Sequence, residues 1–197
     1  SFSSNEAAHA NFDGWLKEAL SLDVLNYSVR GGGLNSSLLL YFVSKEYREK
    51  KQSLMVWEMP SYLRFGGSSL WREIVPAAVG DCKGTDKEMY SDDISLSSEK
   101  ENIFDDDAWE DFNDKAGKGD GYYLVLSFDK DLDKSAKLEA MAGEKKLLNV
   151  NLSHSNRMGE NLSYFVDMGP NFTMDKVSLS LNKKDVGRTV TVRACKY

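Results

Sequence analysis

The residues of this chain whose types could do chemistry are two histidines, two cysteines and a mid-chain run of carboxylates. Histidine is the usual proton carrier and metal ligand near neutral pH. Neither His9 nor His154 has a second histidine or a cysteine at ligand spacing, so no metal site is specified. Cys82 and His154 could in type be a nucleophile and its base, but nothing around either supports the pairing. No Gly-X-Ser-X-Gly elbow occurs, and Gly31-Gly32-Gly33 lacks the lysine and the following helix of a phosphate loop. Asp92 and Asp93 are the kind of pair a glycosidase or a calcium site uses. Asp105 to Asp111, however, has no glycine where an EF-hand loop turns. The expectation is a protein without catalytic residues, cofactor or metal: a binding protein and not an enzyme.

Binding then has to be sought in the charge pattern. The net charge of −6 is unevenly spread, because twelve acids and only two lysines fall between Asp86 and Asp114. This segment repels nucleic acid and suits a basic protein partner. Asp92, Asp93, Asp105, Asp106, Asp107, Glu110 and Asp111 are the candidate contact residues. A solvated acidic loop that only keeps the protein soluble explains the same run equally well.

The elements that must carry these residues are mostly strands. Period-two alternation marks Tyr122 to Phe128, Lys146 to Ser153, Phe172 to Leu181 and Thr189 to Ala194. Further strands are expected over 23–29, 34–43, 52–59, 89–96, 137–142 and 161–168, with the glycine run as a bend before the Leu34–Val43 strand. Leu70 to Val75 reads as either a short helix or a strand. One helix is expected at about 4–20, with Ser3 and Glu6 as a capping box and Phe12, Trp15 and Leu16 on its apolar stripe. A second follows Asp105, its first turn loaded with acids and its stripe made by Ala108, Trp109, Phe112 and Ala116. The whole is expected to be mainly β: a single domain over 1–197, an antiparallel two-sheet β-sandwich with two peripheral helices and an acidic segment at about 86–116.

Compartment signals agree with one another. Asn-X-Ser/Thr triplets stand at Asn26, Asn35, Asn151, Asn161 and Asn171, the pattern of a eukaryotic or viral secreted glycoprotein. Cys82 and Cys195 are either one disulfide, as an oxidising compartment allows, or two buried thiols. No apolar run reaches the length of a membrane span. The chain begins at Ser1 without Met, read as the removal of a signal peptide from a secreted product.

Three stretches occur in an order that resembles a known family. These are Val29-Arg30-Gly31-Gly32-Gly33-Leu34-Asn35-Ser36-Ser37, the helix-then-strand unit from Asp106 to Lys130, and the ending Thr189-Val190-Thr191-Val192-Arg193-Ala194-Cys195. Together they resemble the secreted poxvirus immune-evasion proteins, the CC-chemokine inhibitors among them. With only three isoleucines in 197 residues, the chain is also similar to gammaherpesvirus chemokine-binding proteins. The resemblance implies a secreted viral immunomodulator that captures a host chemokine, cytokine or immune receptor. The alternative is an extracellular adhesion or carbohydrate-binding module of a microbe or parasite.

Overall fold

The computed structural model describes residues 12–28, 36–50, 52–57, 68–104, 106–117, 120–130, 132, 136–152, 163–170 and 176–197. Among the described residues four α-helices come first: α1 (Phe12–Leu20), α2 (Ser36–Val43), α3 (Lys45–Glu49) and α4 (Ser68–Val79). Eight strands and a fifth helix follow. They run β1 (Glu88–Ser95), β2 (Lys100–Phe104), α5 (Asp106–Lys115), β3 (Gly121–Phe128), β4 (Ala136–Ala142), β5 (Lys145–Leu152), β6 (Ser163–Pro170), β7 (Lys176–Ser180) and β8 (Thr189–Lys196). The strands make two four-stranded antiparallel sheets, ordered β1-β8-β3-β6 and β2-β7-β4-β5. The molecule is therefore mainly β, with helices beside the sheets.

Alternation decides what each strand buries. In β5, Leu148, Val150 and Leu152 are buried while Asn149 and Asn151 are exposed, so one face meets the core and the other solvent. A single core joins those residues to Leu138 of β4, Leu179 of β7, Leu124 and Leu126 of β3, Val166 of β6 and Val192 of β8. Strand β3 is different, because both of its faces are covered. Tyr123 and Val125 point away from that core and meet Leu38 and Leu39 of α2, Ile74 and Ala77 of α4, and Phe165 of β6. The β4–β5 hairpin turns on Gly143 and Glu144, with Gly143 at φ 55°, a left-handed conformation that glycine adopts without a Cβ penalty.

The helical layer is tied to the first sheet by polar contacts as well. Arg48 of α3 donates to the carbonyls of Ala77 (2.6 Å) and Val79 (3.2 Å), and the Tyr47 hydroxyl donates to that of Ala78 (3.2 Å). These are the orphan carbonyls at the end of α4, capped here from a neighbouring helix. Gly80 follows at φ 101°, and a Cβ there would collide with the Arg48 guanidinium. Immediately beyond, Cys82 is disulfide-bonded to Cys195 of β8, with Cα atoms 5.9 Å apart. Arg193, almost fully buried, grips Asp81 through two hydrogen bonds of 2.8 and 2.6 Å and donates a third to Ser127. A buried guanidinium needs such a partner, since an unpaired charge there would be strongly destabilising.

Several expected strands are corrected. Residues 36–43 are helical: Leu38, Leu39 and Leu40 are all buried, so the run is apolar on every side and carries no period to separate helix from strand. Residues 23–28 and 52–57 are irregular; their β-prone residues find no strand partner there. The ambiguous stretch at 70–75 lies inside α4. Strand β2 was not foreseen. The glycine run, the expected capping box and the 34–35 start of the expected strand lie outside the described residues.

Candidate functional site

The outward face of the second sheet is built by the alternation that fills its core. Leu138 and Ala140 point in, so Lys137, Glu139 and Met141 point out. Strand register brings Ser180 beside Lys137 and Lys100, and Ser178 beside Glu139 and Asn102. Asn149 lies opposite Glu139, and Lys146 opposite Met141. The face is thus polar and mostly cationic, and it frames an open groove of about 600 Å³ lined by Lys100, Glu139, Met141, Lys146, Lys176 and Ser178.

Glu139 is the hub of this face. Its Oε1 receives Lys146 at 2.6 Å and Lys137 at 3.0 Å, and its Oε2 receives Lys100 at 3.2 Å. The lysines stay 41 to 59% exposed while the carboxylate that holds them is 11% exposed. Hydrogen bonds from Lys146, Lys137 and Lys100, in that order of weight, hold the Glu139 carboxyl down at about 2. It is therefore ionised throughout the physiological range. Three cations around one anion leave a surplus of positive charge, and the ammoniums have further N–H groups to offer an incoming anion. Neither Glu139 nor any of Lys100, Lys137, Lys146 and Lys176 was singled out from sequence. Lys137 and Glu139 share an outward strand position, but Lys100, Lys146 and Lys176 come from three other strands, so only the pairing registers reveal the cluster.

The described acidic residues expected from sequence fall on two elements, β1 and α5. Asp92 and Asp93 are exposed on β1 and line a separate groove of about 220 Å³ with Tyr90, Asn102 and Phe104. Asp93 accepts a hydrogen bond from the Thr191 hydroxyl. Asp107 and Glu110 are exposed on α5 and do not line that groove. Asp106 and Asp111 belong to α5, while Asp105 lies outside the described residues. Asn26 and Asn151 are exposed; Asn35, Asn161 and Asn171 fall outside the described residues, as do His9 and His154. Among the described residues the only carboxylate–sulfur grouping is Asp81 with Cys82 and Cys195, whose sulfurs are bonded to each other. One other carboxyl stands out: burial raises Glu73 of α4 to about 7.

A family model described as an SGNH hydrolase-like domain, acetyltransferase AlgX, matches residues 1–61. The alginate biosynthesis protein AlgX of Pseudomonas aeruginosa is 35% identical over 81 residues, covering 41% of this chain and 17% of that protein. AlgX of Pseudomonas putida is 32% identical over 72 residues, covering 36% and 15%. A probable alginate O-acetylase, AlgJ of P. aeruginosa, is 40% identical over 50 residues, or 25% and 13% of the two chains. The solved structure of P. aeruginosa AlgX superposes with a TM-score of 0.76 at 22% identity, over 98% of this chain and 46% of that one. At that identity the likeness is one of fold, and the chain spans less than half of the structure it matches.

These matches overturn the viral reading. The glycine run that anchored the poxvirus and gammaherpesvirus resemblance lies within the 61 residues matched by a bacterial hydrolase-like model. The helix-strand unit and the Ala-Cys ending are ordinary features of β proteins and carry no family information by themselves. A host chemokine, cytokine or immune receptor is no longer indicated as partner, and the alternative, an extracellular adhesion or carbohydrate-binding module of a microbe or parasite, is not supported by the matches either. The expectation that the chain is no enzyme falls too, since the matched model is described as an acetyltransferase and one relative is named an O-acetylase.

Proposed function

We propose that this chain is part of a bacterial polysaccharide-acetylating protein of alginate biosynthesis, and that its second sheet holds the anionic polymer while acetyl groups are transferred. Alginate is a chain of uronic acids, with one carboxylate on each ring. The observation that carries the reading is the convergence of Lys100, Lys137 and Lys146 on Glu139 beside an open polar groove. Such a face attracts a polyuronate and has nothing to offer a neutral glycan's missing charge. The names of the relatives supply the biosynthetic context.

We read the two antiparallel sheets as a β-sandwich, a reading supported by the buried core to which both contribute. We take 1–197 to work as one unit, because α2 and α4 bury apolar residues against β3 and β6. We place it outside the cytoplasm. A disulfide persists in an oxidising compartment, and no described helix is long and apolar enough to cross a membrane.

The test is calorimetry with oligomannuronate against neutral mannan of the same length. The uronate should bind, the mannan should not, and a Lys100→Ala/Lys146→Ala variant should lose about tenfold or more in affinity. Equal binding of both glycans, or of neither, removes the proposal. In the producing organism, loss of the gene should lower the acetyl content of the exported polymer.

A further inference from the structure

We infer that Glu139 is the positioning residue of this face: it sets three lysine ammoniums into one carboxylate-sized anion site and does not merely cancel their charge. The inference rests on the polymer-holding reading above. Simple Coulomb reasoning runs the other way, because a negative charge at the centre of a polyanion-binding surface should weaken binding. Geometry argues for order. Lys100, Lys137 and Lys146 stand on β2, β4 and β5, and each reaches Glu139 within 3.2 Å. An unattached lysine on a sheet surface samples many rotamers and loses that freedom when it grips a ligand. Here the loss has already been taken in the folded state, with the Glu139 side chain sunk to 11% exposure beneath its partners.

Convergence also sets the chemistry of the ligand. Because all three ammoniums lie within 3.2 Å of one carboxylate, their charges stand together in one small region of the face, not in a row of separate charges. That arrangement selects a compact, rigidly presented anion such as a ring-borne uronate. A flexible polyanion gains little from it and senses only the net charge. Lys176 and Ser178 complete the rim.

The experiment compares Glu139→Gln with the parent chain on two probes, oligomannuronate and poly-L-glutamate, after thermal unfolding has shown that the variant folds. Positioning predicts opposite movements: about tenfold weaker uronate binding, with poly-L-glutamate binding unchanged or tighter. Glu139→Asp, which keeps the charge but withdraws it by one methylene, should lose uronate affinity to a lesser degree, and it serves as the test if the glutamine variant does not fold. Uronate binding that is equal or tighter in both variants overturns this inference and leaves the proposed function standing. A parent chain that binds no oligouronate overturns both.

Discussion

The helical region before residue 80 and the sheet region after it bury their apolar residues very differently. Phe12, Trp15, Leu22, Leu54, Met55 and Trp71 are all more than 40% exposed, and among the described residues the other large apolar side chains this open likewise lie between 12 and 79. In the sheet region Leu124, Leu126, Leu138, Leu152 and Leu179 are sealed completely. Helix α1 has no buried residue at all. The region matched over 1–61 by the hydrolase-like model is thus the one whose described large apolar residues are the more exposed. The sheet region is recognised mainly through its fold. Strand alternation can be satisfied by many sequences, so architecture persists there while identity drains away.

The largest expected effect tests whether the disulfide, which fastens the chain just past α4 to β8, is what holds the helical region on the sheets. The Cys82–Cys195 bond closes a loop of 113 residues, and loop-closure entropy puts its removal at about 4–5 kcal/mol. In Cys82→Ser/Cys195→Ser, urea unfolding followed by tryptophan fluorescence should show the helical region, with Trp15, Trp57 and Trp71, melting before far-ultraviolet signal from the sheets is lost. Coincident transitions would mean that the shared core alone unites them.

A second contrast comes from cavities. Leu138→Ala, in the sealed core, should cost about 3–5 kcal/mol, and Leu39→Ala, at the helix–sheet seam, about 2–3 kcal/mol. A greater loss at Leu39 in chemical denaturation would reverse the ranking of the two regions. Glu73 offers a smaller, pH-dependent difference. Its carboxyl is raised from 4.5 to about 7 by burial, so the fold favours the protonated form. That favour is complete below about pH 4.5 and is lost as pH climbs through 7. Glu73→Gln should therefore raise the melting temperature at pH 8, by the equivalent of about 1–3 kcal/mol, and have no effect at pH 4. A pH-independent change would show that the carboxyl is not desolvated. Smallest of all, Trp15→Ser should alter stability by less than about 0.5 kcal/mol yet reduce binding of an apolar dye, since Trp15 is 68% exposed.

How far the sequence could be read depended on whether one face of an element stayed polar. Strands β5 and β7 were legible because Asn149, Asn151 and Ser180 alternate with buried aliphatics, and α5 because its stripe of Ala108, Trp109 and Phe112 recurs against a run of acids. Helix α2 was illegible for the converse reason: Leu38-Leu39-Leu40 meets apolar neighbours all round, and burial on all sides erases the period. Strand β2 hid within an acidic run whose composition spoke for a loop. The site was harder still. Glu139 and Lys100 are 39 residues apart and meet only because β7 and β4 align in register between them. The acidic patch drew attention by its sheer charge, whereas the lysine face is made of single residues dispersed over four strands.

The place of β8 has a consequence for how the protein is made. Its last strand is not an edge: it lies between β1 and β3, pairing Glu88 with Cys195 on one side and Tyr122 with Lys196 on the other. During synthesis β1 and β3 must wait, each with an unpaired edge, until β8 emerges. The β4–β5 hairpin can form early because its contacts are local. The first sheet and the sulfur bridge close only once β8 has been made. Removing β8 would leave edges of β1 and β3 open and Cys82 without its partner.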